Sequence, residues 1–120
     1  MIVLRARRAD HLAEEWETVG KADLGVTQRI LVDVDGGTVK LMRIAIGGHF
    51  PLHQHPDRFE WLYVVEGEVE TEVDGEVVLL GRGEFRVFPT HSYHRLSASN
   101  GALALVGAFR HHSRSGHALA

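Results

Sequence analysis

Gly47-Gly48-His49-Phe50-Pro51-Leu52-His53-Gln54-His55-Pro56-Asp57-Arg58-Phe59-Glu60-Trp61-Leu62-Tyr63-Val64-Val65-Glu66-Gly67 decides how this chain is read. Its skeleton is Gly47-x5-His53-x-His55-x4-Glu60-x6-Gly67. Successive side chains on a strand point to opposite faces, so an extended His53-x-His55 puts both rings on one face. Glu60 opens the next apolar run and can reach the same point from a neighbouring strand. A second run, Gly83-x5-Pro89-x4-His94, adds a third imidazole after a proline-marked turn. His53, His55, Glu60 and His94 thus offer three imidazoles and one carboxylate. That donor set suits Fe, Mn, Ni, Cu, Co or Zn and suits Ca and Mg poorly. Even with 9 His and 13 Gly in 120 residues, the five-position pattern arises by chance roughly once in two thousand such chains.

Outward from this stretch the text alternates strand and turn. Val26–Val34 is followed by Asp35-Gly36-Gly37, and Val39–Ile46 by Gly47-Gly48. Phe59–Val65 ends at Glu66-Gly67, and Val69–Val73 ends at Asp74-Gly75, a strong hairpin signal between alternating runs. Val77–Leu80, Phe85–Phe88, Tyr93–Ala98 and Ala102–Phe109 follow, with Asn100-Gly101 as another turn. Eight or nine short strands at regular spacing predict an all-β sandwich or jelly-roll barrel. Only Ala9–Trp16 reads as a short helix, with Asp10 as its N-cap.

A chain of 120 residues suits one domain with its own core. There is no cysteine, which removes disulfides, thiolate ligands and thiol nucleophiles. Only Met1 to Leu4 precede Arg5, too few for a secretory apolar region, and no run approaches membrane length. The expectation is a cytoplasmic protein with neither membrane nor nucleic-acid partners. The net charge is −3, and the one basic cluster, Arg5, Arg7 and Arg8, reads as a solvated end or a swapped strand. The His111, His112 and His117 tail reads as a flexible end. No Gly-x-Ser-x-Gly elbow occurs, and the glycine pairs sit in β-turn contexts rather than before a helix.

The two histidine runs resemble the paired motifs of the cupin superfamily, G-x5-H-x-H-x3,4-E-x6-G and G-x5-P-x-G-x2-H-x3-N. The first matches in full from Gly47 to Gly67; the second matches at Gly83, Pro89 and His94. His91 stands where the pattern has glycine and Ala98 where it has asparagine. The resemblance implies a small single-domain cupin, a double-stranded β-helix or jelly-roll barrel over residues 25–110. Residues 1–24 would be an N-terminal segment, a dimer-contact strand or short helix, and 111–120 a tail. It implies one divalent transition metal per chain on His53, His55, Glu60 and His94. It also implies dioxygenase-like chemistry on a small organic molecule with O2, and permits isomerase, decarboxylase or lyase activity. A non-catalytic ligand- or metal-sensing module and a metal-stabilised structural protein are the competing readings.

Four protein ligands leave one or two positions of a five- or six-coordinate metal open. Glu60 would then be catalytic as well as a ligand. His91 reads either as an acid/base residue at the pocket entrance or as an exposed loop histidine. Phe50, Phe88, Met42 and Phe109 read as core. Arg43 points either inward to a substrate carboxylate or outward. Trp61, Tyr63 and Val65 alternate away from the metal face, which implies a cover for that side too. A homodimer contact and the N-terminal segment are the two candidates.

Overall fold

The structure, a computed structural model, describes residues 16–110. The Ala9–Trp16 helix (Trp16 apart), the Arg5, Arg7 and Arg8 cluster, and the His111, His112 and His117 tail lie outside these residues. The described chain is almost entirely strand: β1 Glu17–Thr18, β2 Val26–Val34, β3 Gly37–Ile44, β4 Gly48–Gln54, β5 Arg58–Gly67, β6 Val69–Val73, β7 Glu76–Leu80, β8 Phe85–Phe88, β9 Tyr93–Ala98 and β10 Ala102–Arg110. A short 3-10 turn, Ala22–Leu24, joins β1 to β2. Among the described residues no helix is long and apolar enough to cross a membrane.

These strands form two antiparallel sheets, β1-β2-β3-β10-β5-β8 and β4-β9-β6-β7. Alternation explains the arrangement. On β3 Met42 and Ile44 are buried while Arg43 is exposed; on β5 Leu62 and Val64 are buried while Tyr63 is exposed. The inner faces join in one core that includes Val26, Met42, Ile44, Leu62, Val64, Val69, Phe88, Leu96 and Val106. Two sheets with buried inner faces and crossing connections make a jelly roll, as the strand spacing predicts.

Most predicted turns fall in place. Asp74 (φ 48) and Gly75 (φ 88) form the two-residue β6–β7 turn with positive φ at both positions, as a twist-matched hairpin requires. Gly37, Gly48, Glu66 and Gly67 belong to strands rather than turns. Gly37 pairs with Val34 and with Phe109, whose ring lies where a Cβ of Gly37 would stand. The β2–β3 turn is therefore only Asp35-Gly36. β1 extends the large sheet ahead of residue 25.

Candidate metal centre

The site begins with a proline. Pro51 lies inside β4, has no N–H to give to the ladder, and sits where the pairing with β9 slips by one residue. Phe50 faces Leu96, and the next pair is His53 with His94. Three residues on one strand thus match two on the other. This bulge lets Phe50 and His53 both point inward, although strict alternation would oppose them. The Pro51 carbonyl then accepts a hydrogen bond from His53 Nδ1–H at 2.9 Å, which leaves Nε2 with its lone pair free.

His55 and His94 are positioned together. The His91 backbone N–H donates to the His55 carbonyl at 3.0 Å, and Gln54 Nε2 donates to the His91 carbonyl at 2.7 Å. These bonds clamp the turn before β9 onto the end of β4. His91 adopts φ 69 there, a left-handed conformation that glycine takes without steric cost. Its exposed side chain is not among the residues lining the cavity. His91 therefore contributes backbone bonds to the site, and the structure does not bring its imidazole to the other four residues.

Glu60 reaches across from β5 in the opposite sheet. His94 Nε2 lies 3.1 Å from Glu60 Oε1 and His55 Nε2 lies 3.4 Å from the same oxygen. The His94 ring is 3% exposed and stacks on Phe88 at 4.7 Å. His94 Nδ1 is buried and has no hydrogen-bond partner among the described residues. Burial pulls the His53 and His55 pKa values below the ordinary histidine range, so both favour the neutral form a metal requires. Burial would raise the Glu60 carboxyl, but the His94 hydrogen bond and the charges of His55, His94 and Lys40 together hold it below its usual value.

One donor atom from each of His53, His55, Glu60 and His94 lies within 4.8 Å of all the others. Donors about 2.0–2.2 Å from one ion stand at most about 4.4 Å apart, so closure by a few tenths of an ångström fits a transition metal. The donors also fit chemically, with three imidazole nitrogens and one ionised oxygen. Two adjustments are needed. His94 Nε2–H donates to Glu60 Oε1 at 3.1 Å, so its proton must move to Nδ1 before Nε2 can ligate. Arg58 Nη2 donates to His55 Nδ1 at 3.2 Å, which leaves the proton on Nε2, facing Glu60. Ligation through Nε2 requires the other tautomer and displaces Arg58.

The cluster forms the polar end of a cavity of about 220 Å³. Its apolar wall includes Met42, Phe50, Leu62, Phe88, Leu96 and Val106, so three residues predicted as core also face the site. The fourth, Phe109, packs on Phe59 instead. Lys40, Gln28 and Arg58 also line it, and sequence reading missed them. A signal was available. Lys40 is in phase with inward Met42 and Ile44, and Gln28 with inward Val26. Arg43 points outward and stacks over the Trp16 ring at 4.1 Å, which settles its direction. Trp61 lies flat over Gly107 on the outer face, where Tyr63 is exposed.

Known proteins share this fold. An alignment of 54 positions that covers 42% of this chain is 41% identical to quercetin 2,3-dioxygenase of Bacillus subtilis (strain 168), of whose length it covers 16%. The structure is similar to KdgF from a Halomonas species (TM-score 0.76, 24% identity, covering 88% of this chain and 94% of that one). It is also similar to an RmlC-like cupin from Shewanella frigidimarina NCIMB 400 (TM-score 0.72, 24% identity, 85% and 87% covered). At such identities the likeness is one of fold. The family model for the cupin domain matches residues 40–106, which contain both histidine runs and all four clustered donors. The chain belongs to the cupin family.

Proposed function

We propose that His53, His55, Glu60 and His94 hold one divalent transition metal per chain, and that the protein is a dioxygenase-like oxidoreductase acting on a small organic molecule. The observation that carries this reading is the convergence of three nitrogens and one carboxylate oxygen within 4.8 Å at the polar end of a partly apolar cavity. The local likeness to quercetin 2,3-dioxygenase supports the reaction class. When bound, such a metal supplies Lewis acidity and one-electron chemistry. The chain's own residues do the rest. The Pro51 carbonyl holds the His53 ring in the tautomer that ligates. Glu60 lowers the charge of the centre by one unit. Phe50, Phe88, Leu62 and Leu96 keep water from the inner wall, which strengthens electrostatic interactions there.

Purified protein should retain close to one metal per chain by elemental analysis, and consume oxygen with a suitable small substrate. Glu60→Gln should lower turnover far more than it lowers folding stability. A metal-stripped protein with undiminished oxygen consumption would defeat the metal's part in the reaction, no oxygen consumption with any small substrate would defeat the oxidoreductase reading, and a preparation that binds no metal would defeat the site. We also infer a homodimer through the outer face of the large sheet, where Tyr63 pairs with Phe85 and Trp61 with Val87. Tyr63, Phe85 and Val87 are exposed there at 40%, 64% and 46%. Light scattering on the wild type and on Phe85→Glu tests it: a monomeric wild type ends that inference.

A further inference from the structure

Lys40 and Gln28 face the four-donor cluster from the cavity wall without belonging to it. They come from adjacent strands of the large sheet. Gln28 on β2 pairs with Met42 on β3, and Lys40 lies two residues before Met42. The two side chains are therefore diagonal neighbours on the inner face, within reach of one small molecule. β10 separates them from Glu60, with Val106 beside Lys40 and Ala108 beside Glu60.

Among the described residues neither group has a partner. Gln28 Oε1 is closed to solvent and accepts no hydrogen bond. Among the described residues the half-buried Lys40 ammonium makes no hydrogen bond or ion pair, and Glu60 acts on it only through space. A buried amide oxygen left unmet costs free energy, so native structures supply a partner for it, while a half-buried ammonium facing a cavity attracts an anion. Here the partner would come from outside the described residues, and the cavity gives a small molecule room to supply it. An ammonium asks for an anionic oxygen, and an amide oxygen asks for a hydroxyl or N–H donor. At about 220 Å³ the cavity falls below the common range for drug-sized ligands, about 300–1,000 Å³, so the guest is compact.

We propose that Lys40 and Gln28 anchor the substrate, and that the substrate is a compact hydroxy acid whose carboxylate pairs with Lys40 and whose hydroxyl hydrogen-bonds the Gln28 side-chain amide. The rest of the molecule then faces His53, His55, Glu60 and His94. Only that last orientation rests on the proposed metal centre; the anchoring stands on the wall itself. Lys40 is a binding residue in this scheme, and no bond is made or broken at it.

Calorimetric titration tests the proposal on the whole chain, with and without added Fe(II) or Mn(II). The probes are lactate and glycerate against their uncharged counterparts, propane-1,2-diol and glycerol, with propionate as the acid that lacks a hydroxyl. The acids should bind at least about tenfold more tightly than the diols. Lactate should bind more tightly than propionate in wild type but not in Gln28→Leu. Lys40→Met should abolish the preference for acid over diol, Lys40→Arg should restore part of it, and metal content should stay unchanged in all three variants. Equal binding of acid and diol, or no acid binding at millimolar concentration, overturns the proposal using wild type alone, so a variant that misfolds does not protect it. Acid preference in a protein that holds no metal would sink the metal centre and keep the anchor. One metal per chain without acid preference would do the reverse.

Discussion

Two polar clusters bridge the same pair of sheets, and they are built in opposite ways. In one, Arg86 reaches from β8 in the large sheet to β6 in the small one. Its Nη1 donates to the Thr71 carbonyl, to Thr71 Oγ1 and to the Glu76 carbonyl, and its Nη2 meets Glu76 Oε1 at 2.6 Å. Thr71 Oγ1 in turn donates to the Val78 carbonyl at 2.9 Å. That network closes on itself. In the other, Glu60 of the large sheet faces His53 and His94 of the small sheet, and His94 Nδ1 and Gln28 Oε1 beside it go unmet. A satisfied network fastens two sheets; a buried network with unmet atoms has room for a partner that the described residues do not supply.

The largest expected effect separates the two clusters directly. His94→Ala should reduce retained metal from near one per chain to near none, because it removes a donor held on Phe88 at the centre of the set. His53→Ala should do the same. Arg86→Met should leave metal content unchanged. Elemental analysis after gel filtration reads all three, and retained metal in both histidine variants would break the distinction.

Arg86→Met should act on stability instead. The methionine keeps the apolar stem but leaves the Thr71 carbonyl and its fully buried side chain short of a donor. The expected loss is about 2–3 kcal/mol in the metal-free protein by denaturant titration. Half or more of the ion pair's partner, Glu76, is in water, so its charge adds little to that figure. His94→Ala compared under the same metal-free conditions should cost less per polar bond removed, since the site it leaves was never fully paired. A smaller loss per hydrogen bond removed for Arg86→Met than for His94→Ala, after allowing for the cavity the missing ring leaves beside Phe88, would reverse the assignment of fastening and binding roles.

How much of this was legible in the text depends on whether the information is local. Strand phase is local, so β2, β5, β6 and β9 and the inward set Glu60, Leu62, Val64 follow from alternation alone. The hairpin at Asp74-Gly75 follows from two residues that accept positive φ. The bulge at Pro51 is not local in the same sense. Proline announces an interruption, but only the pairing of His53 with His94 shows which residue is extra. Strict alternation would therefore set Phe50 against His53, whereas both face the cavity. Lys40 was hidden for another reason. Its phase marks it as inward, but its distance from Glu60 depends on β10 inserting between β3 and β5, a long-range pairing that no short window contains. His91 carries the opposite lesson. A residue one turn from a ligand looked chemical, and its place is explained by its backbone conformation and two main-chain bonds.

The smallest expected effect is also the sharpest, because the two possible natures of the cavity cluster predict opposite signs. Suppose His53, His55 and His94 served Glu60 as fastening partners, as Arg86 serves Thr71. Acidification would then charge the rings, strengthen their pairing with the carboxylate, and raise stability as pH falls below about 6.5. The structure points the other way. Burial lowers the His53 and His55 pKa values from the ordinary 6.5, so between folded and unfolded values the unfolded chain binds more protons. Stability of the metal-free protein should therefore fall as pH drops from about 7 to 5, and His53→Ala should flatten the slope. Glu60, held below its ordinary 4.5, acts in a lower window: its contribution persists above that value and is lost only as pH falls through its folded pKa. With metal present the decline through the histidine range should steepen, because ligand imidazoles must be neutral. Denaturant titrations with and without a chelator measure each slope. A metal-free protein that grows more stable on acidification would make the cavity cluster a second fastener, and the contrast with the Arg86 network would disappear.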